Sequence, residues 1–171
     1  NGQISEGVFK NTVTIALRIN EFDWVEQFIQ EYAPYLPTNI RENARTFNLA
    51  NLYSHQKKYD KVIELLRDVE YNDIVYALGS KLILLRTYYE SDEYLAMDSL
   101  IDSFKIFLRR NKVISKNLKR DYSNFLVFLK KLSTLNSSHP QAIEKLKKRI
   151  LETPYTGSKK WLLERIEDIQ R

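Results

Sequence analysis

The fold of this chain is decided by the stretch Tyr53-Ser-His-Gln-Lys-Lys-Tyr59-Asp-Lys-Val62-Ile-Glu-Leu65-Leu66. The same pattern occurs earlier as Ala16-Leu-Arg-Ile-Asn-Glu-Phe22-Asp-Trp-Val25-Glu-Gln-Phe28-Ile29 and later as Tyr88-Tyr-Glu-Ser-Asp-Glu-Tyr94-Leu-Ala-Met97-Asp-Ser-Leu100-Ile101. Its aromatic anchors, Phe22, Tyr59 and Tyr94, lie 37 and then 35 residues apart. A period in this range is typical of stacked helical hairpins, which generally serve as scaffolds.

The composition favours an all-α fold. The 171 residues include only four glycines and four prolines, whereas an all-β chain needs a turn about every ten residues. Leu, Lys, Glu, Arg and Ala, which are strong helix formers, are plentiful. No apolar run approaches the roughly 18 residues that a membrane span needs. The chain has no cysteine, which excludes disulfides, thiolate metal sites and cysteine nucleophiles.

Apolar residues at helical spacing predict three hairpins, a fourth, degenerate pair of helices and a C-terminal capping helix. These elements are expected at about 8–37, 41–71, 74–110, 115–152 and 158–170. In the second hairpin, the return helix is expected to turn four apolar side chains towards its partner: Val62, Leu65, Leu66 and Val69. Asn72-Asp73 is the expected break after this hairpin. Ser138 and Ser158 are the expected caps of the last two helices.

The hairpins resemble tetratricopeptide repeats, whose unit is about 34 residues long and forms two antiparallel helices. The resemblance covers roughly 8–110 and rests on Phe22, Ile29 and Pro37, on Ala50, Tyr53, Tyr59, Leu66 and Val69, and on Tyr88, Tyr94, Ile101 and Phe104. The small alanine of the family's return helix is replaced by Val25, Val62 and Met97, and its turn glycine by Asn20, Lys57 and Asp92. The resemblance implies one domain over 1–171, a right-handed α-solenoid of three to four hairpins.

In tetratricopeptide arrays the first helix of each hairpin lines a concave groove. The resemblance therefore implies a groove lined by Lys10, Thr14, Leu17, Phe47, Asn51, Ser54, Leu82, Arg86 and Tyr89. Lys10, Asn51 and Arg86 are expected to donate hydrogen bonds to a peptide carbonyl or carboxylate, while Phe47 and Tyr89 are expected to be apolar platforms. The alternative is that these residues form the exposed side of ordinary helices. The lysine-asparagine clamp for C-terminal carboxylates that some relatives have is not present.

Positive charge is concentrated in the second half of the chain. Between Lys105 and Arg149 there are 13 lysines and arginines against two acidic residues, whereas the rest of the chain has 14 basic and 20 acidic residues. A basic surface in this segment is an alternative site, for nucleic acid or another anionic surface. Its residues are Arg109, Arg110, Lys112, Lys145, Lys147, Lys148 and Arg149. The competing interpretation is that solvated lysines keep these helices soluble.

Little in the sequence indicates catalysis. The two histidines, His55 and His139, have no carboxylate or second histidine beside them in sequence to hold a catalytic or metal-bound imidazole. Asp98 and Asp102 lie four residues apart on one predicted helix, as on a solvated face. The glycines form no phosphate-binding loop. We therefore predict no enzyme activity, no catalytic or metal-ligating residues and no cofactor.

These observations predict a non-catalytic scaffold that binds a protein or peptide partner in the groove. The absence of cysteine fits a reducing compartment and a cytoplasmic location is expected, although many exported proteins also lack cysteine. The chain begins with an asparagine rather than a methionine, and we expect it to be part of a longer protein.

Overall fold

The computed structural model describes residues 2–69, 71 and 73–171. The regular structure of these residues is helical and contains no strand, which confirms the all-α prediction. The helices in chain order are α1 Glu6–Arg18, α2 Phe22–Tyr32, α3 Thr38–His55, α4 Tyr59–Leu66, α5 Ile74–Glu90, α6 Tyr94–Arg110, α7 Lys116–Leu132, α8 Pro140–Glu152 and α9 Lys159–Gln170. A 3-10 turn, Ala33–Tyr35, continues α2.

The helix boundaries follow local signals in the sequence. Pro140 is the first residue of α8, where a missing backbone N–H costs nothing. The predicted break at Asn72 lies outside the described residues. Its neighbour Asp73 caps α5, because its carboxylate accepts hydrogen bonds from the backbone amides of Val75 and Tyr76 at 2.8 and 3.1 Å. Such a cap satisfies two of the amides that have no partner within the helix.

Three local predictions were wrong. Helix α4 ends at Leu66, so Val69 lies beyond it and is 36% exposed instead of facing α3. The hydroxyl of Ser138 is bonded to the side chain of Asn136, and the residue that precedes α8 is His139. Ser158 does precede α9, but its left-handed backbone (φ 51°) differs from the extended conformation of a capping serine, and it makes no capping hydrogen bond.

The residues group into two compact units, 1–93 and 94–171. The boundary falls between α5 and α6, which the sequence had assigned to one hairpin of a single domain. Unit 1 therefore contains α1 to α5, and unit 2 contains α6 to α9. Unit 1 has 10 basic and 14 acidic residues, whereas unit 2 has 17 basic and 8 acidic residues. The net charges are thus −4 for unit 1 and +9 for unit 2.

In unit 1, each helix packs on its neighbours in a repeating order. Helix α1 packs on α2 and α3, α2 packs on α3, α3 packs on α4 and α5, and α4 packs on α5. The side chains between them are apolar and include Phe9, Val13, Leu17, Ile29, Ala50, Leu52, Val62 and Leu85, all fully or almost fully buried. Burial of this apolar surface is the main force that holds the five helices together.

Unit 2 is built around α7. This helix packs on α6, α8 and α9, and α8 also packs on α9. Its core consists mainly of aromatic and branched apolar side chains: Phe104, Phe125, Leu129, Leu132, Ile150, Leu162 and Ile166. The predicted final helix is present as α9, and Trp161 turns inwards with its ring centroid 6.2 Å from that of Phe125.

The turns that follow α1, α3 and α5 have the same backbone geometry. Each contains one left-handed residue that is not glycine, and these residues are Asn20 (φ 61°), Lys57 (φ 56°) and Asp92 (φ 60°). The amide of the next residue donates to the carbonyl five residues earlier: Glu21 to Ala16 at 3.1 Å, Lys58 to Tyr53 at 2.9 Å and Glu93 to Tyr88 at 2.8 Å. This hydrogen bond is typical of helix ends that terminate in a left-handed residue. The threefold repeat in the sequence is therefore also a repeat in the backbone.

Lys57→Gly is expected to raise the free energy of unfolding by about 0.5–1 kcal/mol. Lysine is sterically disfavoured in the left-handed region, whereas glycine is not, so the substitution relieves strain in the folded state. The larger entropy of glycine in the unfolded chain offsets part of this stabilisation. Urea unfolding followed by circular dichroism measures the change. Asn20→Gly should gain less, because asparagine tolerates this conformation. A loss of stability in Lys57→Gly would contradict the turn geometry.

Candidate functional site

Helices α1, α3 and α5 lie side by side in unit 1, because α3 packs on both of the others. The predicted groove residues are on these three helices, and we call their surface the α1–α3–α5 face: Lys10, Thr14, Phe47, Asn51, Ser54, Arg86 and Tyr89. The ammonium of Lys10 lies 5.5 Å from the centre of the Phe47 ring, so the first row of this face is in contact across α1 and α3. The equivalent turns align the three helices, and in this alignment Thr14, Asn51 and Arg86 occupy the same position. They lie one helical turn after the position of Lys10 and Phe47.

Phe47 is part of the packing between α3 and α5, which corrects its predicted role as an open platform. Its side chain is 7% exposed, and its ring meets the Tyr76 ring edge-on at 5.3 Å. It also lies against Gly79, where the missing side chain allows the close approach. Leu17 is likewise buried between helices and does not line a surface. Phe47 is therefore a core residue and not a binding platform.

The polar residues of the α1–α3–α5 face are half-buried and partly engaged with the backbone. The Thr14 hydroxyl donates to the Lys10 carbonyl at 2.8 Å, and His55 Nδ1 lies 2.9 Å from the Asn51 carbonyl oxygen. Among the described residues, none hydrogen-bonds the side-chain carboxamide of Asn51. This carboxamide therefore presents a donor and an acceptor at the centre of the face, flanked along the row by Thr14 and Arg86.

Two repeat tyrosines connect neighbouring helices of unit 1. The Tyr53 hydroxyl on α3 donates to Glu26 on α2 at 3.1 Å, and the Tyr59 hydroxyl on α4 donates to Glu90 on α5 at 2.9 Å. Burial, together with the Glu26 carboxylate, raises the pKa of Tyr53. Burial also raises the pKa of Tyr76 and Tyr88. These phenols therefore stay neutral at physiological pH and act as packing and hydrogen-bonding groups.

The predicted basic residues lie at two places in unit 2. Arg109 and Arg110 end α6 and are exposed, as is Lys112 after the helix. On α8, the exposed side carries Lys145, Lys148 and Arg149, opposite the buried side chains Ile143, Leu146 and Ile150, while Lys147 is half-buried. Both α6 and α8 pack on α7. Lys148 lies 3.8 Å from Glu152, and Arg149 lies 5.9 Å from the Phe128 ring. Nucleic-acid binding by these residues stays a prediction.

The histidines and the carboxylate pair are at the surface. His55 is exposed in the last turn of α3, and His139 is exposed before α8. Asp98 pairs with Lys130, and Asp102 lies 3.1 Å from Lys105. Within the part of the chain that the structure describes, no three His, Asp or Glu side chains cluster as metal ligands would. These carboxylates are thus members of solvated ion pairs.

Comparison with protein-family models, with curated proteins and with solved structures finds no match to this chain. Function is therefore inferred from the geometry of the described residues alone. None of their helices has both the length and the apolar character that crossing a bilayer requires.

The sequence pattern does not single out a further surface, which lies on α1 and α2. Trp24, Phe28 and Tyr32 form a ladder along α2, with ring centroids 5.1 and 4.8 Å apart and rings within 22° of parallel. Trp24 and Tyr32 are exposed. The four-residue spacing of these rings was visible in the sequence. These three rings lie next to the core positions Val25 and Ile29 on α2. The apolar surface of this helix therefore extends beyond the stripe that faces the core.

Proposed function

We propose that this chain is a non-catalytic interaction module of tetratricopeptide-like hairpins, and that unit 1 binds an extended peptide or a helix across the α1–α3–α5 face. The proposal includes a right-handed solenoid arrangement of the hairpins. It is supported by the three equivalent turns and by the repeating order in which α1 to α5 pack. A hairpin array with a repeated face suits recognition of a long, regular partner.

The observation that carries the proposal is the Asn51 carboxamide, which has no hydrogen-bond partner among the described residues. A carboxamide can pair with both the N–H and the C=O of a peptide backbone. It therefore recognises the backbone of a peptide rather than a particular side chain. Lys10 and Arg86, in the first and third hairpins, place positive charge on either side of it in the repeat. Such donors favour a peptide that carries carboxylates.

The double substitution Asn51→Ala and Arg86→Ala is expected to weaken peptide binding by about tenfold or more, the loss typical of central interface residues. The probe is the tightest peptide selected from a random peptide library displayed on phage. Its affinity is measured by isothermal titration calorimetry. Thermal unfolding of each variant shows whether the fold is retained, and Asn51→Ala alone serves where Arg86→Ala lowers stability.

Two control variants test the location of the binding site. Glu64→Ala changes an exposed residue on α4, and the triple change Lys145→Glu, Lys148→Glu and Arg149→Glu reverses the basic side of α8. Both should leave the affinity within about twofold of the original. A selected peptide that ignores the Asn51 and Arg86 changes but is released by the triple reversal would contradict the proposal and favour the basic residues of unit 2.

A further inference from the structure

We propose that a second surface of unit 1, on α1 and α2, binds a basic amphipathic α-helix. This surface, which we call the α1–α2 edge, contains an open depression of about 390 Å³ lined by Thr12, Ile15, Ala16, Ile19, Glu21 and Trp24. Ile15 is 62% exposed and Trp24 is 46% exposed. The depression adjoins the aromatic ladder through Trp24, and the ladder carries a second exposed ring, Tyr32, beyond the buried Phe28.

The repeat shows what shape of partner fits this surface. The offset of 37 residues maps Ile15 onto Leu52 and Ala16 onto Tyr53. Leu52 is fully buried, and Tyr53 donates its hydrogen bond to Glu26 on α2. This side of α3 is therefore covered by a helix. On α1, the equivalent residue Ile15 is apolar and 62% exposed, and the buried Ala16 lines the depression, so a helix can pack on this side.

The aromatic ladder extends the contact surface beyond the depression. Trp24 lines the depression and also stacks on Phe28, and Tyr32 stacks on the other side of Phe28. Tryptophan and tyrosine contribute the largest contact area per rotatable bond and are enriched among residues that dominate binding energy. A partner helix that lies in the depression would therefore contact Trp24 and, further along α2, Tyr32, the two exposed rings of the ladder.

The charges of the α1–α2 edge select a basic partner. Glu21 lines the main depression, and Glu31 lines a smaller one of about 180 Å³ beside Trp24 and Tyr32. The segment 12–32, which spans both helices of the edge, contains four acidic residues and one basic residue, Arg18. One of the four, Glu26, already accepts the bond from Tyr53. Arginine side chains of a partner can pair with the other carboxylates and stack on the exposed rings.

The partner is thus a helix with an apolar stripe flanked by lysine and arginine. The apolar stripe covers Ile15 on α1, Ile19 just after α1 and Trp24 on α2, which together line the depression. The flanking cations face Glu21 and Glu31. An extended peptide would leave the depression partly empty, because its side chains alternate between two sides.

The test uses three synthetic peptides of about four helical turns, labelled for fluorescence anisotropy. The first has leucines at helical spacing with lysine and arginine elsewhere. The second has glutamate in place of the basic residues, and the third has the composition of the first in an order without an apolar stripe. We expect only the first to bind, with an affinity that falls as salt is added.

Variants locate the binding and separate it from the proposed function. Ile15→Lys is expected to weaken binding of the first peptide by about tenfold or more, and so is Glu21→Lys with Glu31→Lys. Val75→Lys changes a similarly exposed apolar residue on α5 and should have no effect. Asn51→Ala with Arg86→Ala should also have none, because those residues belong to the α1–α3–α5 face.

Three results would overturn the inference. The first is failure of the basic amphipathic peptide to bind, and the second is equal binding of all three peptides. The third concerns the protein alone: analytical ultracentrifugation that shows a concentration-dependent dimer, lost in Ile15→Lys, would mean that a second copy covers the α1–α2 edge. Monomeric protein that binds only the first peptide, with loss in Ile15→Lys and not in Val75→Lys, supports it.

Discussion

Val62→Pro is expected to lower the free energy of unfolding of unit 1 by more than about 3 kcal/mol. The amide of Val62 donates to the Lys58 carbonyl at 3.2 Å, and its side chain is fully buried. Proline removes this hydrogen bond, and its ring collides with the Lys58 carbonyl. Helix α4 is only eight residues long, so no stable helix remains after the break. Because α4 packs on α3 and α5, the loss should spread through the second hairpin.

Val62→Ala is the control, because it shortens the same side chain and keeps the amide. It should cost about 1–3 kcal/mol through lost packing. The difference between the two variants, read from urea unfolding, then isolates the backbone effect. Circular dichroism of the original protein should show a helical spectrum, and a strand-rich one would contradict the architecture. Equal losses for proline and alanine would mean that residues 59–66 are not a helix.

The helices and turns of this fold were predictable because their signals are local. Apolar residues at helical spacing, Pro140 and the aromatic anchor Tyr59 indicate where helices begin, within two or three residues. The turns were also marked, since Asn20, Lys57 and Asp92 stand where the tetratricopeptide pattern has glycine. What sequence alone did not reveal is that these three residues adopt a left-handed backbone. These side chains are less favourable than glycine in the left-handed conformation, so their presence in a sequence does not indicate that conformation.

The surfaces were harder to predict, because burial depends on what a helix packs against. The tetratricopeptide resemblance implies a groove lined by Phe47 and Leu17, but both are buried, and Phe47 is buried by the close approach of α3 to α5 at Gly79. Ile15 and Leu52 are equivalent positions of the sequence repeat, so the repeat alone predicts the same environment for both. Leu52 is nevertheless fully buried on α3, next to Tyr53, which bonds to Glu26 on α2, whereas Ile15 on α1 is 62% exposed. Exposure therefore depends on which neighbours each helix has, and a sequence repeat does not encode this.

Gly79→Val is expected to lower the free energy of unfolding by about 3 kcal/mol, near the upper limit for an overpacked core. A Cβ atom on Gly79 would lie 2.7 Å from Cε2 and 3.0 Å from Cζ of Phe47. The Phe47 ring cannot move away cheaply, because the Tyr76 ring lies edge-on at 5.3 Å and Lys10 lies 5.5 Å from its centre. Valine adds two methyl groups to this overlap. The gain in helix propensity over glycine, below about 1 kcal/mol, is too small to offset it.

Two further variants identify the cause of that loss. Gly7→Val places the same side chain on α1 where no atom lies within 4 Å, so stability should change by no more than about 0.5 kcal/mol. Phe47→Ala removes the ring, and in that background Gly79→Val should cost much less than alone, with a coupling of about 1–3 kcal/mol. Additive losses in the double mutant, measured by urea unfolding, would mean that α3 and α5 do not meet at these two residues. Since the α1–α3–α5 face requires this contact, additivity would also contradict the proposed binding surface.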